Sequence, residues 1–164
     1  MGYCFGDYFI CFMKIKYVHP VSFLVYRVET TVEQLHTFLP VGQRLFGEAV
    51  ARKHFIAGPV HWHYIGFTDV FKPFVLEVAL PVGEVFQGYD DGEFRYKRTE
   101  AFQCVSCLHE GSWQQIPDTY GKIMQFMGEQ NLSPVGENRE VYINVDMAFG
   151  DGNTTEIQMG IYPR

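Results

Sequence analysis

Glu77 and Glu156 each open a short segment of similar apolar character: Glu-Val-Ala-Leu-Pro-Val at 77–82 and Glu-Ile-Gln-Met-Gly-Ile at 156–161. The offset between them also pairs Tyr17 with Tyr96, Phe23 with Phe102 and Gly42 with Gly121, without a gap. Identities along this alignment are sparse, so the order of apolar runs carries the repeat. A chain of two like halves forms a cleft between them, and a strand carboxylate on its wall can meet a ligand. A carboxylate in apolar surroundings is unfavourable unless paired. It attracts a cation or has its pKa raised. As a base, Glu156 would activate water, with Tyr142 donating to the charge that develops.

Aromatic residues, at 16% with 15 Phe and 10 Tyr, are enriched. Large rings fill a core or line an apolar site, and beside a carboxylate they add cation–π attraction. Trp113 either edges a cleft or staples the start of a helix. Trp62, Tyr64, Tyr120 and Phe126 read as core before ligand wall. His61-x-His63 sets two imidazoles on one strand face. No third ligand is evident, though Glu77 could be near, and no metal is expected. Cys104 and Cys107, three apart in an expected strand, point to opposite faces. They read as reduced core or surface thiols and not as a zinc knuckle or redox pair.

The elements that must position these groups follow from pattern. Residues 14–30 read as one strand or two pieces around Pro20. Residues 31–55 read as a helix broken near Pro40 and Gly42. Strands follow at 60–67 and 74–82, and residues 83–92 form a linker. The order then repeats: a long strand at 94–109, a helix at 113–131, a turn at 133–138, a strand at 140–147, a turn at 150–153 and a strand at 154–163. In the second helix Ile116, Tyr120, Ile123 and Met127 share a face, and Pro117 sits in the first turn. This predicts an α+β fold: duplicated β-α-β-β units related by a pseudo-two-fold, an antiparallel sheet with helices on one face, and a central cleft.

Alternation assigns the faces. Leu76, Val78 and Leu80, then Ile157, Met159 and Ile161, are expected under the helices. Val141, Ile143 and Val145 are expected to join them. The other face would carry His61, His63, Glu77, Tyr142, Asn144, Glu156 and Gln158 as one concave surface. The competing reading is a merely solvated sheet face.

The formal net charge is −6, and no basic run stands out. Direct DNA binding is therefore not expected. No segment suggests secretion or a membrane span, so a cytoplasmic protein is expected. Residues 1–12 read as an extension or a mis-set start. Residues 13–164 read as a single domain, with repeats at about 14–82 and 93–163.

Several stretches together resemble the GyrI-like small-molecule-binding domains, also called AraC-type effector-binding domains. They are His109-Glu110-Gly111-Ser112-Trp113, the helix with Tyr120, Met124 and Phe126, Leu132-Ser133-Pro134-Val135-Gly136, Glu140-Val141-Tyr142, and Thr155 through Ile161. One departure is Gly160, where the family commonly has Pro; Pro81 keeps it in the first half. The resemblance implies a central aromatic cleft, often with an acidic residue, for hydrophobic and frequently cationic molecules. With no helix-turn-helix region in the chain, it resembles the stand-alone members.

The leading expectation is a binding protein for a hydrophobic, cationic or neutral small molecule, in regulation or in toxin or drug sequestration, without a cofactor. Its ligand-binding candidates are Glu156, Tyr142, Trp113, Glu77, His63, Tyr120 and Phe126. The alternative is a hydrolase of reactive electrophiles, with Glu156 and Tyr142 catalytic. A third reading is a protein-interaction domain of the gyrase-inhibitor type.

Overall fold

A computed structural model describes residues 12–83 and 92–163. The expectations for residues 1–12 and for the 83–92 linker fall almost wholly outside the described residues. The first half runs β1 (Lys14–Val18), β2 (Ser22–Thr30), a 3-10 helix (Val32–Phe38), α1 (Val41–Ala51), β3 (His61–Ile65) and β4 (Phe74–Pro81). The second half runs β5 (Phe94–Arg98), β6 (Phe102–Glu110), a 3-10 turn (Trp113–Gln115), α2 (Ile116–Glu129), β7 (Pro134–Asn144) and β8 (Thr154–Ile161). The expected α+β duplication is present.

All described strands join one antiparallel sheet in the order β1-β6-β8-β7-β3-β4-β2-β5. The order is symmetric about the β7–β3 seam. The long strand expected at 94–109 is in fact two. The chain turns at 99–101 and sends β5 and β6 to different parts of the sheet. β1 and β2 divide in the same way around Pro20. The first strand of each half thus crosses over: β1 pairs with β6, and β5 pairs with β2. The two corners hold each other. Thr99 N–H donates to Val21 O at 2.9 Å, and Val21 N–H donates to Thr99 Oγ1 at 3.0 Å.

One face of the sheet carries both helices. Val41, Leu45 and Ala49 of α1 pack on Leu24, Leu76, Val78 and Leu80. Ile116, Ile123 and Met127 of α2 pack on Val105, Ile157, Met159 and Ile161. Each fully buried aliphatic side chain contributes about 1.5–3 kcal/mol, so the spacing of apolar residues decides which helix face turns inward. Ser112 Oγ accepts from Gln114 N–H ahead of α2, and Pro117 occupies its first turn. The expected turn at 133–138 is already strand. Gly136, at φ 79°, gives β7 an irregular start, and its carbonyl accepts from Gly66 and Phe67 N–H.

The face assignment of β7 needs correction. Glu140 lies opposite Ile157 on β8 and Trp62 on β3, and Tyr142 lies opposite Thr155. Glu140 and Tyr142 therefore turn toward the helices, and Val141 joins Glu156 on the other face. Ile143 and Val145 are about half exposed rather than buried under α2. The loop between β7 and β8 is one residue longer than that between β3 and β4, and the β7–β8 register shifts between Tyr142 and Asn144. With a two-residue side-chain period, a one-residue change exchanges the faces.

The face away from the helices is not simply solvated. Phe23, Val25 and Ala79 are buried there, together with His63, Glu77, Arg139, Gln158 and Ser106. Cys104 is a buried free thiol, pushed up to about 12 by burial first and then by the Glu156 charge. Cys107 is disulfide-bonded, which corrects the expectation of a reduced thiol.

Candidate functional site

Glu140 forms the centre of a cluster beneath the helices. Tyr142 donates to its Oε2 at 2.6 Å and Tyr64 to the same oxygen at 3.0 Å; Tyr120 donates to Oε1 at 3.0 Å. Each donor comes from a different element. Tyr142 is two residues along β7, on the same side of the strand. Tyr64 projects from β3 across the central seam. Tyr120 descends from the first turns of α2. Two indoles meet the Tyr142 ring edge-on, Trp113 at 5.3 Å and Trp62 at 6.0 Å between centroids. Trp62 and Tyr64 thus hold the places in the first half that Glu140 and Tyr142 hold in the second.

Burial pushes the Glu140 carboxyl above its ordinary value, and the three phenols only partly offset this. The phenols are in turn pushed well above theirs, by burial first and then by the Glu140 charge. All three tyrosines stay protonated donors at neutral pH. Glu140 is 5% exposed, whereas Tyr120, Tyr142 and Trp113 are half-buried. The acid is thus buried, and the aromatic residues around it are partly exposed. Among the described residues no lysine or arginine pairs with Glu140.

The other two glutamates differ in this respect. Glu77 receives Arg27 at 2.5 Å and Lys97 at 2.6 Å. His63 Nδ1 stands 3.9 Å away, too far for a hydrogen bond. Burial works against ionisation of Glu77, but the His63, Lys97 and Arg27 contacts outweigh it and lower its pKa to about 2. Glu156 receives Lys16 at 2.7 Å and Ser106 at 2.6 Å. Its pKa is also lowered, the partners again outweighing burial. Three strand steps along the sheet separate β4 from β8, about 14 Å at the usual spacing. The two acids therefore occupy separate ion pairs on the face away from the helices, and Tyr142 is on the opposite face from Glu156.

Of the residues expected at a ligand, Tyr142, Tyr120 and Trp113 come together at Glu140. Phe126 is half-buried against the second-half core. His63 lies with Glu77, beside His61 at 3.3 Å and the Phe23 ring at 5.1 Å between centroids. Burial holds both imidazoles neutral, His61 with a pKa lowered to about 3. Among the described residues no group of three His, Cys, Asp or Glu side chains is placed to hold a metal. Sequence pattern does not single out Glu140, although Glu140-Val141-Tyr142 is visible in the sequence. Apolarity favoured Val141 as the inward residue, and only the strand pairing overrules it.

The chain belongs to the GyrI-like small molecule binding domain family, whose pattern matches residues 74–162. Among solved structures it is similar to the C-terminal domain of EcmrR, at a TM-score of 0.75 and 16% identity, covering 94% of this chain and 99% of that one. It is also similar to SAV2435 bound to tetraphenylphosphonium, at a TM-score of 0.64 and 12% identity, covering 92% and 93%. A hydrolase from Listeria innocua gives a TM-score of 0.67 and 14% identity, covering 92% and 91%. At these identities the likeness is one of fold. No curated protein sequence matches the chain. No helix among the described residues is long and apolar enough to cross a membrane.

Proposed function

We propose that the chain binds a hydrophobic monocation against Glu140, serving effector sensing or sequestration rather than chemistry. One contrast carries the reading. Glu77 and Glu156 each have a lysine or arginine from the chain itself, while the buried Glu140 has, among the described residues, only neutral phenols as hydrogen-bond partners. A bound cation would complete the third pair. At 4 Å and an effective dielectric near 20 the attraction is about 4 kcal/mol. The tyrosine and tryptophan faces add roughly 0.5–2 kcal/mol of cation–π energy. The charge term is the larger, so the carboxylate is the residue to change. The SAV2435 structure, which holds tetraphenylphosphonium, supplies a probe.

Calorimetry with tetraphenylphosphonium should show Glu140→Gln weakening binding at least about tenfold, equivalent to about 1.4 kcal/mol. Glu156→Gln should leave affinity within about twofold, because its carboxylate lies on the other face. Undiminished affinity in Glu140→Gln would remove the assignment.

A second reading rests on the 2.6 Å contact between Tyr142 and Glu140. A raised-pKa carboxylate touching a phenol can act as base and donor pair on an electrophile. It requires product beyond one equivalent per chain, abolished in Glu140→Gln. Binding without turnover supports the first reading.

A further inference from the structure

Two buried polar atoms on the helix-bearing face have no hydrogen-bond partner among the described residues: Trp113 Nε1 and Thr155 Oγ1. Both adjoin Tyr142. Thr155 is its cross-strand partner on β8, fully buried, and the Trp113 indole meets the Tyr142 ring. Tyr142 in turn donates to Glu140. The third such atom, His63 Nδ1, lies on the opposite face near Glu77. An unpaired buried donor is unfavourable by about 1–3 kcal/mol, and folded proteins retain few of them. Two such atoms adjoin one tyrosine, which itself donates to the acid that has no lysine or arginine partner among the described residues.

The chemistry of the pair defines what it would accept. An indole N–H can only donate, and a threonine hydroxyl donates or accepts. A neutral oxygen acceptor, such as a ketone, amide or ester carbonyl, satisfies the indole and can also take the hydroxyl proton. A second cationic or purely hydrocarbon group would leave the indole unmet. We propose that Trp113 and Thr155 form an acceptor-reading subsite, so that the preferred ligand is a cation carrying a carbonyl oxygen a few atoms from its charge. This rests on the Glu140 site proposed above and adds a specificity determinant to it. Discrimination arises because a site built to donate loses a hydrogen bond when the acceptor is absent.

The test uses the full chain and two cations differing by one group: (4-phenylbutyl)triphenylphosphonium and (4-oxo-4-phenylbutyl)triphenylphosphonium. The ketone should bind the wild type about fivefold more tightly or better, the scale of one net hydrogen bond. The preference should vanish in Trp113→Phe and shrink in Thr155→Val. Because Trp113→Phe also changes packing, the wild-type indole N–H resonance of Trp113 gives a second readout. It should move downfield with the ketone and not with the hydrocarbon cation. Equal affinity for the two cations, a preference that survives Trp113→Phe, or an unmoved indole resonance overturns the subsite. If both cations bind equally, the Glu140 site stands and only the subsite falls; if neither binds, both fall.

Discussion

What separates Glu77, Glu140 and Glu156 is the identity of their neighbours. Glu77 sits with a guanidinium, an ammonium and an imidazole, and its pKa falls from 4.5 to about 2. Glu140 sits with phenols and is pushed the other way. The consequence for stability carries a sign. Unfolded Glu77 binds a proton near 4.5 and the folded form only near 2, so its contribution is full above about 4.5 and is lost as pH falls toward 2. His61 adds to the same trend: kept neutral by burial, it is protonated near 6.5 when unfolded but only near 3 when folded. Glu77→Gln should therefore destabilise the protein at pH 7 by about 1–3 kcal/mol, since it removes the charge-assisted hydrogen bonds that the buried carboxylate accepts from Arg27 and Lys97. It should also flatten the loss of stability between pH 4.5 and 2. Thermal melts of both proteins across that range check the prediction. A mutant melting curve that parallels the wild type at every pH would show that Glu77 is not the acid-sensitive group.

At the scale of elements, β8 accounts for the departure noted at Gly160. A Cβ there would lie 2.6 Å from Val135 Cγ2, 2.7 Å from Glu137 O and 2.7 Å from Phe102 Cε2. The Glu137 oxygen is backbone of β7, and the Phe102 ring is held by the Arg139 guanidinium stacked 3.8 Å over its centre. None of the three can withdraw easily. The irregular start of β7 brings that strand so close that position 160 admits only glycine, whereas Pro81 fits on β4. Gly160→Ala should lower stability by about 1–3 kcal/mol through overpacking. Urea unfolding should show the midpoint falling with an unchanged slope.

For the molecule as a whole, the crossed first strands matter most. β1 belongs to the first half but pairs only with β6; β5 belongs to the second half and pairs with β2. The seam between β3 and β7 then joins the two halves into one sheet. Neither half retains its own first strand, and each half alone exposes the β3 or β7 edge with its aromatic face. Residues 13–88 and 89–164 expressed separately should each be unfolded or aggregated by circular dichroism and gel filtration. Mixed, they should recover a sheet. A half that melts cooperatively by itself would contradict this account of the fold.

Most of the order of elements, the duplication and the helix-bearing face of β3, β4 and β8 were legible in the sequence, because they depend on local periodicity; the division of 94–109 into β5 and β6 was not. Tyr142, Tyr120 and Trp113 could be nominated by type and by family resemblance. The face of Glu140 was not legible. A one-residue difference in loop length and a shift in β7 register reverse which side chains turn inward, and apolarity alone chooses Val141. Nor could local pattern reveal that Glu77 and Glu156 are neutralised. Their partners, Arg27, Lys97 and Lys16, come from strands that pairing brings alongside from distant sequence. Periodicity is a property of neighbours along the chain, but which acids meet a lysine or arginine depends on neighbours across the sheet, and only the folded arrangement assembles those.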